Sequence, residues 1–428
     1  EIARSERQKM NAFWYPSLNA SGAYVHLSNN IEVKEPLKQF TDPAKDFVHS
    51  IVPDDKFISS ILDNIGAHTL TFPLLERNLT TIDANVMWPL FTGGKRIFAT
   101  RIGNRMVDLA KAGREEAGAT LQSELVETYY ALRLAQRVVD VREQTFLGLQ
   151  KHYRNAMKLE KNGMINKAER LFAQVTMDEA RRELESARKD LNVAQNALKV
   201  LLNVDATSIN PSSPLFMNHD LPDELYFKNL VSTGNYIVSK LRIQEVMADN
   251  QLKISKSAYI PTIALFGKQT LYADNLPKNL MPRTLIGVGF TWNIFDGLNR
   301  EANIRQARLT KQTLQLGREK VQNELGVLVD KLYSEIQNAK DDVAALNTTI
   351  EMSRELVRIR KKSFQEGMAT STDVIDAETM LSKVQIAFLL AYYKYDVALA
   401  SLLSTCGMPE SFWQYSRTGQ TENFIFGK

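Results

Sequence analysis

One nine-residue pattern occurs twice in this chain, as WPLFTGGKR at 88–96 and WNIFDGLNR at 292–300. Trp88, Phe91, Gly93 and Arg96 thus recur as Trp292, Phe295, Gly297 and Arg300, each 204 positions on. The same offset carries Gly163 and Met164 onto Gly367 and Met368, and Leu198 onto Leu402, with no insertion or deletion between. Upstream, FWYPSL around Pro16 pairs with AYIPTI around Pro261 at an offset of 245. Self-similarity at a fixed spacing means one supersecondary unit used twice. The repeats are expected to be 1–212 and 213–428, and to differ mainly before the shared tryptophan. Pro16 and Trp88 are 72 positions apart but Pro261 and Trp292 only 31, so the first copy carries about 41 extra residues at the tip of a strand hairpin.

After each motif the apolar period is that of a helix. Val321, Leu325, Leu328, Leu332, Ile336, Ala339, Val343, Leu346 and Ile350 fall at steps of three and four, a core stripe. A helix over about 300–363 would be roughly 96 Å long at 1.5 Å per residue, too long for a compact domain of this size. Following a turn at 365–372, Val374, Ala377, Leu381, Val384, Phe388, Ala391, Tyr395, Ala398 and Leu402 mark the returning helix. Leu184, Ala187, Leu191, Ala194, Leu198 and Leu201 do the same in the first copy. These are long helical hairpins packed by heptad rules. The periodicity stops at 203–223 and 406–428, which are expected to lie side by side as an irregular belt midway along the helices.

Before each motif the period is two. Ile82, Ala84, Val86, Trp88 and Leu90 alternate with Asp83, Asn85, Met87 and Pro89, while Ile286, Val288, Phe290, Trp292 and Ile294 alternate with Leu285, Gly287, Gly289, Thr291 and Asn293. A half-buried strand of a water-soluble sheet has this signature. So does a strand of a membrane barrel, in which Trp88 and Trp292 would belong to an interfacial aromatic girdle. The alternation leaves both open. Residues 1–12 read as a helix end stopped by Pro16, 15–27 as a strand, and a further helix begins near Glu224. In the polar stretch 28–80 the one regular piece expected is a short amphipathic helix carrying Phe57, Ile58, Ile61, Leu62 and Ile65.

Composition narrows the function classes. With 53 basic and 49 acidic residues spread along the chain, no basic patch interleaved with aromatics offers a nucleic-acid groove. No run approaches the roughly 18 consecutive apolar residues of a transmembrane helix, which says nothing against a β-barrel. Cys406, the single cysteine, has no Cys or His neighbours to suggest a metal site. The five histidines, His26, His49, His68, His152 and His219, are scattered. With no nucleophile–base pair and no phosphate loop, neither an enzyme nor a cofactor is expected. By the 245-residue offset, residues 1–11 correspond to 246–256, so the first repeat is expected to lack its leading helix and any export signal.

Each unit therefore reads helix, strand, strand, very long helix, turn, helix. This layout resembles the TolC family of trimeric outer-membrane channels of Gram-negative bacteria, over nearly the whole chain. The most specific match is FQEGMATSTDVIDA at 364–377, which is similar to the family's turn motif of a glycine followed by an xDxxDA segment. The resemblance implies a mainly α fold with membrane β: four strands per protomer in a shared 12-stranded barrel of a homotrimer, continued as an α-barrel tunnel across the periplasm. It implies a passive exit duct for drug efflux or type I secretion, engaged by a periplasmic adaptor and an inner-membrane pump. It also implies that Asp373 and Asp376, three apart on one face of the returning helix, line the closed aperture. The turns at Gly163-Met164 and Gly367-Met368 would form the tip that meets the adaptor. Two positions depart from the family. Its tunnel-closing tyrosine aligns with Phe364, which has no hydroxyl, and that tyrosine's partner arginine aligns with Ala369. In the first copy Glu169 stands where the second has Asp373. The competing reading of the residues alone is a soluble coiled-coil scaffold.

Overall fold

A computed structural model describes residues 1–51, 56–205, 209–274 and 282–422, with only the backbone described at 72–75. Parts of the expected belt (206–208 and 423–428) and of the inserted stretch (52–55) lie outside the described residues. The chain divides into two compact units, residues 1–107 with 247–310, and 108–246 with 311–428.

The first unit opens with α1 (Ile2–Ala12) and β1 (Ser17–His26), then β2 (Ile31–Pro36), α2 (Lys38–Ile51), α3 (Lys56–Gly66) and β3 (Thr69–Leu75), and returns through β4 (Asn78–Phe91) into α4 (Lys95–Lys161). The inserted stretch is thus more regular than its sequence suggested. The expected amphipathic helix is α3, but α2 precedes it, and β2 pairs antiparallel with β3. The helix α2 was hidden by Pro43, a residue that normally breaks a helix interior but here sits in its second turn.

The second unit contains α5 (Lys167–Leu202), β5 (Phe216–Met217), α6 (Glu224–Gly234) and half of the helix preceding the second strand pair. That helix is a second correction, because one continuous helix was expected from Glu224. Instead α6 stops at Asn235, whose backbone is extended, and α7 (Tyr236–Ser257) starts afresh. Asn235 Oδ1 accepts the amide hydrogens of Ile237 and Val238, the capping that lets asparagine end one helix and begin another. The chain continues through β6 (Thr262–Asp274), β7 (Thr284–Thr291), α8 (Asn299–Gln365), α9 (Ser371–Thr405), a 3₁₀ turn, α10 (Phe412–Thr418) and β8 (Gln420–Thr421). Both α4 and α8 have 67 residues.

The first unit is built on a four-stranded antiparallel sheet in the order β1-β4-β6-β7. In the second unit, Phe216 on β5 meets Tyr130, Tyr395 and Phe412 edge-on at 5.4–6.1 Å between ring centroids. β8 pairs with β5, and the fully buried carboxylate of Glu422 just beyond it accepts from Arg133 at 2.8 Å and Arg137 at 3.1 Å. Burying a carboxylate is costly unless it is paired and hydrogen-bonded in this way. The described segments 209–223 and 406–422 are therefore packed against α4 and α9 and are not loose connectors.

Candidate functional site

The repeated motif locks a strand to the helix that follows it, and does so the same way in both places. Trp88 Nε1 donates to the carbonyl of Trp14 at 3.1 Å and Trp292 Nε1 to that of Tyr259 at 3.2 Å, each acceptor lying two residues before a proline. The guanidinium of Arg96 lies 4.5 Å from the Trp14 ring centroid, that of Arg300 4.2 Å from the Tyr259 centroid. The Arg96 guanidinium donates to the Leu90 carbonyl, while Arg300 donates to those of Asn293 at 3.0 Å and Ile294 at 3.2 Å. These carbonyls lie at the end of β4 and just beyond the end of β7. Gly93 and Gly297 sit at φ +61° and +69°, a region that favours glycine. Thr92 and Asp296 each accept the amide hydrogen of the motif arginine, so different side chains cap the two long helices alike.

Register divides the sheet into two faces. Leu18 opposes Val86, Val86 opposes Gly267, and Gly267 opposes Ile286, so one face carries Leu18, Ile82, Val86, Trp88, Leu265, Ile286, Val288 and Phe290. Leu18, Ile286 and Phe290 on this face are 72%, 73% and 75% exposed, and a contiguous exposed apolar surface of this kind marks a protein or membrane contact. The opposite face carries Met87, Phe266 and Leu285 among mostly small and polar residues, and its polar groups pair with one another. Asp83 accepts from Lys268 at 2.8 Å and Thr270 at 2.7 Å, and Asn85 donates to Ser21 at 3.0 Å.

The turns between the long and the returning helices also match. Gly163 and Gly367 adopt φ +70° and +74°. The Met164 amide donates to the Leu159 carbonyl at 2.9 Å and the Met368 amide to that of Ser363 at 2.8 Å, the six-to-one bond of a Schellman cap. Both methionine side chains project into solvent, Met368 at 72% exposure. Asn166 then caps α5 through Glu169 N, and Thr370 forms a full capping box with Asp373. Asp373 Oδ2 takes the amide and hydroxyl hydrogens of Thr370, and its Oδ1 lies 3.2 Å from Arg360. The Thr370 bonds, backbone first, and then Arg360 hold its carboxyl below the usual range. Asp376, one turn on, is exposed.

Phe364 is buried in its own chain. It packs among Leu149, Ala156, Ala173, Val374 and Ile375 and lies 4.6 Å, centroid to centroid, from His152 of α4. His152 Nε2 is 2.7 Å from Ser371 Oγ, and Glu169 of α5 accepts from the Ser371 amide at 3.4 Å. The two hairpin tips are therefore held together by apolar packing around a buried imidazole. The sequence offered no periodic signal for His152, because its partners lie on the other hairpin.

Burial, and secondarily the charge of Lys361, push His152 from its ordinary value of 6.5 down to about 4. An unfolded chain would take up this proton near pH 6.5 while the folded chain resists it until about pH 4, so stability is lost as pH falls through that window and none is lost above it. The loss is on the order of 2–3 kcal/mol. The thermal midpoint of the purified protein should drop between pH 7 and pH 4.5, and His152→Gln should drop less. Parallel pH profiles for the two would show that the imidazole is not the titrating group.

The outer membrane efflux protein family model matches residues 76–204 and 237–408. The chain belongs to this family, which is one of outer-membrane channel proteins and not of enzymes, and it is thereby placed in the outer membrane. Among curated proteins it is 23% identical over 248 residues to the alkaline protease secretion protein AprF of Pseudomonas aeruginosa, covering 56% of this chain and 49% of that one. It is 25% identical over 189 residues to the outer membrane efflux protein BepC of Brucella suis, covering 44% and 41%. The matched stretch thus spans about half the length of the curated relatives or less. Among solved structures, CusC is similar with a TM-score of 0.74 at 16% identity, over 95% of this chain and 86% of that one. VceC of Vibrio cholerae gives 0.72 at 15% identity, over 94% and 90%. These establish the fold.

Proposed function

We propose that this chain is one of three protomers of an exit duct that carries drugs or secreted protein passively from a periplasmic adaptor and inner-membrane pump to the cell exterior. The observation that carries the proposal is the sheet β1-β4-β6-β7, whose outer strands β1 and β7 have a free edge among the described residues and of whose two faces one is largely apolar and the other mostly small and polar. Four strands cannot close. Two copies would give eight, a barrel filled by its own side chains; three give 12 and a lumen lined by the Asp83, Lys268 and Asn85 face. Since β1 and β7 run in opposite directions, joining β7 of one protomer to β1 of the next keeps the alternation unbroken, as barrels require.

The apolar face from Thr80 to Trp88 is about 26 Å along the strand at 3.3 Å per residue. At a tilt near 40° it is about 20 Å tall, close to the apolar band of an outer-membrane barrel. On this reading Trp88 and Trp292 mark the periplasmic membrane interface, 1–212 and 213–428 are the two structural repeats, and 203–223 with 406–428 make the equatorial belt. The equivalent motif locks and Schellman turns support the duplication. The mass of the complex extracted from outer membranes in mild detergent tests the proposal, with a trimer expected. Stable monomers or dimers would refute it, and a protein recovered without detergent would favour a soluble scaffold.

The tips at Gly163-Met164 and Gly367-Met368 form the adaptor-contact rim, six per trimer. Exposed methionines adapt to partner side chains and make a workable docking surface. Replacing Met164 and Met368 together by Asp should abolish export while leaving trimer yield unchanged, since neither side chain is packed in the folded chain. Undiminished export in that variant would place the contact elsewhere.

A further inference from the structure

We infer that the cavity between α7 and the start of α8 is a saccharide site that takes a neutral sugar chain. The cavity has a volume of about 510 Å³ and is walled by Gln251 and Ser255 of α7 and by Asn299, Asn303, Gln306 and Thr310 of α8. Asp296 and Arg300 of the motif lock line it at the end nearer β7. The internal duplication supplies its reference. At the two repeat offsets Ser255 corresponds to Met10, Asn303 to Ala99, Gln306 to Ile102 and Ala307 to Gly103. In the first repeat these residues close the gap between α1 and α4. Ala99 and Ile102 are buried, and a methyl group on Gly103 would lie only 3.2 Å from the Cα of Arg7 and from the Cβ of Met10. In the second repeat a cavity takes the place of that contact, and polar side chains replace apolar ones. Both repeats keep the same lock, so the cavity is a departure of one copy and not a by-product of the architecture.

The lining selects the occupant. Small-molecule sites of roughly 300–1,000 Å³ are mostly walled by apolar and aromatic side chains, whereas the apolar part here is three alanines, Ala248, Ala258 and Ala307. Neither an apolar ligand nor an anchoring side chain of a protein partner finds a pocket to fill. Charge excludes a second group of ligands. One acid, Asp296, stands against one base, Arg300, so an ion of either sign meets no excess of the opposite charge. What remains is hydrogen bonding in both senses. Asp296 Oδ1 and Arg300 Nε are buried with no hydrogen-bond partner, one acceptor and one donor left over. Gln251, Ser255 and Gln306 make no side-chain hydrogen bond among the described residues, and amides and hydroxyls both donate and accept. Sugar hydroxyls do the same, and a carbohydrate therefore pairs with groups that any less polar ligand would leave unsatisfied. The lock lies just beyond the end of β7, which puts the cavity on the helix side of the strands. In the periplasm that chemistry comes from the amino-sugar chain of the cell wall or from free sugars. This placement, though not the sugar site itself, rests on the channel reading above.

Titration calorimetry of the full chain, in a detergent without a sugar headgroup, tests this with chitotriose and maltotriose as probes. Saturable binding of at least one is expected. Tighter binding of chitotriose assigns the wall as the source, tighter binding of maltotriose a free sugar, and either supports the site. A graft of the first repeat, Ser255→Met with Asn303→Ala, Gln306→Ile and Ala307→Gly, should close the cavity and abolish binding while the protein still melts cooperatively. Asn303→Ala alone removes one amide and leaves the packing as it is, so it should weaken binding about tenfold, the scale of one or two hydrogen bonds. No binding of either sugar by the parent protein overturns the inference, and so does equal binding by parent, graft and Asn303→Ala. Loss of export in the graft without sugar binding in the parent would give the cavity to a protein partner, which also overturns it. Calorimetry reads the cavity whatever the mass of the complex, so failure here leaves the channel reading standing.

Discussion

Arg300→Ala is expected to destabilise the chain by roughly 3–5 kcal/mol, the scale for removing charge-assisted hydrogen bonds at a buried site, and to abolish accumulation of assembled protein in the outer membrane. Arg300 is 8% exposed, and its fork holds the Asn293 and Ile294 carbonyls while its plane covers Tyr259. Removing it leaves the end of β7 and the start of α8 without a common partner. Arg300→Lys keeps the charge but loses both the fork and the stack, so it should recover little. Arg96→Ala should cost less, because Arg96 is half-exposed. Thermal melting of the detergent-solubilised protein and the yield of trimer would read these effects. Equal, small losses at both positions would mean that the lock is dispensable and that the helices alone hold the sheet in place.

Why the long elements were legible, and others were not, follows from where their information lies. The strands β4 and β7 and the helices α8 and α9 carry their period for many residues, and a long period is a property of the local chain. The break at Asn235 is one side chain turning on its own backbone, invisible to a stripe that resumes in α7. In α2 a proline outweighed the apolar spacing of Phe40, Phe47 and Ile51. The motif residues themselves were visible as a repeat, yet nothing in the pattern names Trp14 and Tyr259 as the carbonyls they grip, since those contacts close over 74 and 33 residues. Phe364 shows the limit of reading a site by alignment. A position aligned with a closing tyrosine is spent here on packing against His152, so the tips are joined within the protomer by apolar burial.

Exchanging Asp373 and Asp376 together for Asn should lower the cation preference of the single channel and weaken block by multivalent cations by about tenfold, the scale on which a charged constriction concentrates counter-ions. In a trimer the two positions would form two stacked rings of three carboxylates one turn inside the tip. The rings are not equivalent. Asp373 is committed to its own chain, with Oδ2 on Thr370 and Oδ1 facing Arg360, so part of its field is cancelled before a passing ion meets it. Asp376 is exposed on the same face and carries no such counter-charge among the described residues. Asp376→Asn alone should therefore produce most of the change in selectivity. Asp373→Asn should mainly loosen the start of α9, at about 1 kcal/mol or less, because an amide oxygen can still accept from Thr370. If the double variant selects and blocks as the parent does, the constriction lies elsewhere and both carboxylates serve only to begin the returning helix.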